Sequence, residues 1–201
     1  MNFLAHIFLS GDNELLTIGN FVADGIRGKN YKTYPQEMQA GILLHRFIDT
    51  FTDAHPVFRQ STKRLHEPYG HYSGVIVDIF YDHFLAKNWK RYSTVELSIY
   101  VENFYNSLNK HLELLPPKFQ HLTPVMIRGN WLLGYATIKG IQSVLNGMNR
   151  RTKYMSKMDK ATAELKEHYD KFESEFLTFF DDLIRVSSDK RLQLEIEHNI
   201  A

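Results

Sequence analysis

An all-α fold, built as a single-domain helical bundle over residues 1–201, is the architecture this sequence predicts. Three observations carry that reading. Apolar residues recur at intervals of three and four along nearly every long segment, which places them on one face of a helix. The alternating β-branched runs closed by Asn-Gly or Asp-Gly turns that mark strands and hairpins are missing. Prolines, glycines and residues able to cap a helix fall where the periodic segments begin or end. A chain of 201 residues suits one domain and can bury roughly 70% of the surface exposed by its unfolded form.

The elements follow in order. Asp12 is placed to cap a helix carrying Leu15, Leu16, Ile18, Gly19 and Phe21, and Gly25 and Gly28 suit its end. Pro35 fits the first helical position of a segment that runs to about Ala54, where His55-Pro56 imposes a stop or sharp turn. Met38, Ile42, Leu44, Phe47, Ile48 and Phe51 form its apolar stripe. A further helix runs from about Tyr72 to Asn88 after Gly70, and Ser93 with Glu96 reads as a capping box for the next. Pro116-Pro117 breaks the chain, and Thr123-Pro124 reads as a cap followed by a first-turn proline. The last long helix is expected from about Ser156 to Arg185, with Leu165, Tyr169, Phe172, Phe176, Phe179, Phe180 and Leu183 on its packing side.

Composition narrows the chemistry. The hydrophobic share of 43% and charged share of 23% are those of a globular protein, not a disordered one. With no Cys, a disulfide framework, a thiolate nucleophile and a Cys-ligated metal are excluded, so any metal must be held by His and carboxylate. Met1 to Asp12 lacks the basic start of a secretory signal, and no apolar stretch approaches the length of about 20 residues that spans a membrane. A cytoplasmic protein without membrane or nucleic-acid partners is expected. Net charge is +1, yet residues 161–201 hold 10 acidic and 5 basic residues, leaving 13 acidic and 19 basic before them. That imbalance points to an acidic macromolecular partner.

Chemistry concentrates near the start. Six of the ten His lie within the first 83 residues, among Asp residues at helical intervals. His45, Asp49 and Asp53 follow one another at i,i+4, which stacks them on one helix face. Asp78 and Asp82 repeat the spacing, with His83 one step round. Carboxylates crowded among Phe, Ile and Leu repel one another unless a cation lies between them, so these clusters predict a divalent metal site. Oxygen-rich mixed ligation favours Mn²⁺, Mg²⁺ or Fe²⁺ over structural zinc and leaves Zn²⁺ open. His6 in the first helical turns and Asp24 near a glycine-rich helix end can complete it.

In sequence order, Asn2-Phe3-Leu4-Ala5-His6, Gly19-Asn20-Phe21-Val22-Ala23-Asp24, Gly41-Ile42 through His45-Arg46 and Asp49 to Thr52-Asp53, Asp78 with Asp82-His83-Phe84-Leu85 and Trp89, and Val144-Leu145-Asn146-Gly147-Met148 make up a set that resembles the acyl carrier protein phosphodiesterase family over about three quarters of the chain. The resemblance implies a fold distantly similar to the HD phosphohydrolases, a Mn²⁺-type cofactor, and hydrolysis of the phosphodiester joining 4′-phosphopantetheine to a serine of holo-acyl carrier protein. It implies metal-site roles for Asp24, His45, Asp49, Asp82 and His83. Arg46, beside His45, is then the first candidate for a phosphate contact, with Arg27, Arg150 and Arg151 behind it. His6 or Asp78 could relay the proton to the leaving serine oxygen. Arg59, Lys63 and Arg64, together with Arg150, Arg151, Lys153 and Lys157, would form the positive surface for the acidic carrier. The competing readings are a metal phosphohydrolase acting on a nucleotide or other small phosphoester, and a non-catalytic carrier-protein binder.

Overall fold

The computed structural model describes residues 1–200, which fold into helices joined by turns and short 3₁₀ segments, with no strand among them. Helix α1 (Phe3–Phe8) is short and starts under the side chain of Asn2, whose Oδ1 accepts the Phe3 N–H at 2.9 Å. Helix α2 (Glu14–Val22) is capped by Asn13, one residue beyond the expected Asp12. Helix α3 (Gln36–Ala54) follows Pro35 and ends where His55-Pro56 turns the chain into α4 (Pro56–Tyr69). Helices α2 and α3 cross at two glycines. A Cβ on Gly41 would lie 2.0 Å from the Leu16 carbonyl oxygen, and one on Gly19 would lie 2.3 Å from that of Met38. Backbone meets backbone there, and only glycine permits so close an approach.

Helix α5 (Ser73–Lys87) is the centre of the molecule. Ile76, Val77 and every residue from Ile79 to Ala86 are buried, so its surface is enclosed nearly all round, as a helix without an amphipathic stripe must be. Around it lie α6 (Trp89–Tyr92), α7 (Leu97–Lys110), α8 (Pro117–Arg128), α9 (Trp131–Gly134), α10 (Ile138–Arg151) and α11 (Thr162–Glu167). Helix α12 (Tyr169–Glu197) packs along α3, α4 and α5 through the fully buried Phe172, Phe176, Phe179 and Phe180. No helix is long and apolar enough to cross a membrane.

Three local readings of the sequence are corrected. Ser93 and Glu96 form no capping box; Glu96 stands at the N-cap of α7 without a side-chain bond, and Ser93 Oγ turns to the Val95 backbone. Helix α8 begins at Pro117 and runs through Thr123-Pro124, because Phe119, Thr123 and Met126 are buried while the proline ring faces outward. The last long helix starts at Tyr169, not near Ser156, and continues to Glu197. Residues 152–161 are instead folded into turns, with Lys153, Tyr154 and Lys157 at positive φ and the buried Ser156 hydroxyl bound to Thr152 and Asn149.

Candidate metal centre

The glycine crossing brings Asn20, on the last turns of α2, against His45 on α3. Asn20 is fully buried and organises both histidines of the site. Its Oδ1 accepts from His6 Nδ1 at 2.8 Å, and its backbone oxygen accepts from His45 Nδ1 at 2.8 Å. Its Nδ2 donates to the His6 carbonyl and to Ser10 Oγ, which fixes the amide. Both rings therefore carry hydrogen on Nδ1 and turn Nε2 toward one another's space, an arrangement common to metal-binding histidines. The rings stack with centroids 4.0 Å apart.

Asp49, one turn beyond His45, closes the cluster. Its Oδ2 lies 3.1 Å from His45 Nε2 and its Oδ1 3.2 Å from His6 Nε2. Ligand atoms of His6, His45 and Asp49 all fall within 4.8 Å of one another. Asp24, on the 3₁₀ turn Ala23–Gly25, reaches His45 Nε2 at 3.4 Å from the solvent side. Asp78 on α5 faces Asp49 across the Met1 amino group, which is 3.0 Å from Asp78 Oδ1 and 3.8 Å from Asp49 Oδ1. His6 Nε2 is buried and has no hydrogen-bond donor, so with its proton on Nδ1 it offers a lone pair to a cation, whereas Asp78 Oδ1 is taken up by the Met1 ammonium.

The electrostatics fit a place made for positive charge. Burial, aided by the charge on His45, lowers the pKa of His6 to about 4. Burial also opposes charge on His45, but its hydrogen bonds to Asp24 and Asp49 outweigh that and raise it to about 9. Asp49 is held far below the usual carboxylate range: burial works against this, and the two histidines prevail. The hydrogen bond from His45 lowers Asp24, whereas burial raises Asp78. At neutral pH the stacked pair thus carries one positive charge, its extra proton on His45 Nε2, where the carboxylates converge.

The other expected site residues lie elsewhere. Asp82 is fully buried beneath α1, accepting the Leu4 N–H at 2.7 Å and the Ala5 N–H at 3.2 Å, so it caps that helix. Burial pushes its pKa up to about 7. His83 is packed in the interior, with Nδ1 bonded to the Tyr135 carbonyl and Nε2 to the Tyr169 hydroxyl. Neither is brought to the cluster. Arg46 spends its guanidinium on the Ile26 and Gly28 carbonyls and lies over the Tyr31 ring, holding the loop that follows Asp24. Arg64 is clamped at both ends by Glu175 and is largely buried, whereas Arg59 and Lys63 are exposed on α4. Arg27, Arg150 and Arg151 are exposed, as is Asp53. Asn20 and the Met1 amino group had escaped the sequence reading. The Gly19-Asn20 pair was visible, but a buried amide has no spacing rule to betray it.

Comparison with known proteins defines the class: this is a phosphodiesterase. The chain belongs to the acyl carrier protein phosphodiesterase family, whose profile matches residues 1–183. It is similar to the acyl carrier protein phosphodiesterase of Photorhabdus laumondii, with 34% identity over 94% of this chain and 96% of that protein. The proteins of the same name from Yersinia pestis and Escherichia coli O45:K1 are 31% and 32% identical, each over 96% of this chain and 100% of the relative. No solved structure matches.

Proposed function

We propose that this protein hydrolyses the phosphodiester joining 4′-phosphopantetheine to the serine of holo-acyl carrier protein, with a divalent ion, Mn²⁺ first, held by His6, His45 and Asp49. The observation that supports this reading is the convergence of those three ligand sets, with Asp24 at the open side. When bound, the ion would supply an acidified water and positive charge against a phosphate oxygen.

The chain's own residues do the rest. Asn20 holds both imidazoles in the tautomer that leaves Nε2 free, and the raised pKa of Asp78 lets it keep a proton closer to neutrality than an ordinary aspartate. Asp78 is therefore the proposed donor to the departing serine oxygen. Arg46 positions the Asp24 loop, Asp82 fixes the start of α1 and hence His6, and His83 supports α5 against α12. Arg59, Lys63, Arg150 and Arg151 are the exposed cations proposed to meet the acidic carrier.

Intact-mass measurement of holo-carrier protein incubated with the enzyme tests the reaction. A mass loss equal to phosphopantetheine is expected, abolished by chelation and restored best by Mn²⁺. Unchanged holo-carrier would overturn the substrate assignment, and full turnover by a preparation shown by elemental analysis to be metal-free would overturn the metal.

A further inference from the structure

Beside the metal centre, a cleft of about 640 Å³ opens between α9, α10 and the first residues of α1. Its volume is that of a small-molecule site. Asn2 and Phe3 form one wall, directly after Met1, whose amino group contacts Asp78 and Asp49. The other walls are mainly apolar, from Trp131, Tyr135, Val144 and Met148. Gly140, Val144, Gly147 and Arg151 succeed one another at helical intervals, so one face of α10 lines the cleft for about 16 Å at 1.5 Å per residue. Gly147 leaves the backbone bare there: a Cβ would meet nothing nearer than the Arg150 guanidinium, 3.9 Å away. Arg150 and Arg151 border the cleft with positive charge.

We infer that this cleft binds the pantetheine arm and the acyl group on its thiol, as one extended chain leading to the scissile phosphate. The inference rests on the reaction proposed above and adds where its substrate lies. Three features favour this occupant. The cleft is long and apolar-walled, as a flexible chain with an acyl end requires. The missing side chain at Gly147 leaves room for the arm to lie close along α10. Its cationic border suits a phosphodiester and the acidic protein that carries it. A substrate recognised by its phosphate alone would need none of the apolar wall.

The test uses S-octanoyl-pantetheine, which has neither phosphate nor carrier, and reads the fluorescence of Trp131, with Trp131→Phe as the blank. A saturable response is expected with S-octanoyl-pantetheine, a weaker one with pantetheine, and none with octanoate at the same concentration. Gly147→Leu fills the cleft without a backbone clash and removes a helix-interior glycine, so its unfolding temperature should not fall. It should lose the fluorescence response and raise KM for holo-carrier at least tenfold, while turnover of bis(p-nitrophenyl) phosphate stays as in wild type. Ser143→Leu, at an exposed position on the same wall, should act alike. Equal responses to octanoate and S-octanoyl-pantetheine would reduce the cleft to a nonspecific apolar site and overturn the inference. A silent Trp131, or an unchanged carrier KM in both variants while carrier is hydrolysed, would also overturn it and leave the reaction standing. Binding of S-octanoyl-pantetheine by a protein that leaves holo-carrier intact would uphold the cleft and sink the reaction.

Discussion

Loading the metal-free protein with Mn²⁺ should expel one proton per ion, and the amount should shrink as pH rises. The proton is the one on His45, which lies between Asp24 and Asp49 with a pKa of about 9. His6, at about 4, is already neutral above pH 5 and contributes none. At pH 7 about 99% of His45 is protonated, so about one proton leaves; at pH 10 the figure falls to about 0.1. Competition with that proton weakens the apparent Kd about tenfold for each pH unit below 8, with a plateau above about 10. Between pH 6 and pH 8 the difference is about 2.7 kcal/mol. Titration calorimetry in buffers of different ionisation enthalpy counts the protons. A proton lost from metal-bound water would show the opposite trend, because that release grows with pH. Buffer-independent heats at pH 7, or a release that increases toward pH 10, would refute the assignment of the charge to His45.

Other perturbations separate site from scaffold. Gly41→Ala must push α2 from α3 by about 1 Å, at a cost of about 3 kcal/mol, and should weaken metal binding through the stretched Asn20 to His45 bond; denaturant unfolding with a metal titration checks both. Asp49→Ala should abolish turnover and metal binding and also lower stability, because it takes from buried His45 a carboxylate that holds its charge, whereas His83→Ala should cost about 3 kcal/mol by stranding the Tyr135 carbonyl and the Tyr169 hydroxyl, yet leave metal affinity within threefold. Calorimetric melting beside equilibrium dialysis distinguishes the two. Reversing Lys63 to Glu should raise KM for carrier protein at low salt, while Arg64→Glu should chiefly lower the unfolding temperature by leaving Glu175 without its partner.

The i,i+4 rule found His45 with Asp49 because both sit on the face of α3 that turns toward α2. The same rule applied to α5 joins Asp78 and Asp82, and the structure gives them separate employments. Spacing tells which residues share a face, not what packs against it: Asp82 meets the open N–H groups of α1, which lie 78 and 77 positions earlier in the chain. His83 is one residue round, on the side that α9 and α12 cover. The all-α class and the aromatic stripe of α12 were legible because burial repeats with the helical period. Thr123-Pro124 was not, since its local capping pattern is overridden by the core side of α8.

The crossing of α2 and α3 also orders events in time. Asn20, Asp24, His45 and Asp49 lie within 30 residues, so their meeting closes only a short loop and is kinetically cheap. His6 also meets Asn20 across a short loop, but the start of α1 is held by Asp82, which enters only when α5 has been made and packed. The expectation is that α1, and with it His6, becomes fixed only after α5 has packed. Pulsed hydrogen exchange during refolding should find α2 and α3 amides protected before those of Leu4 and Ala5; simultaneous protection would reject the order. An ion held by both histidines consequently certifies that the first half of the chain has closed around its core, and a nascent or truncated chain is denied the full centre.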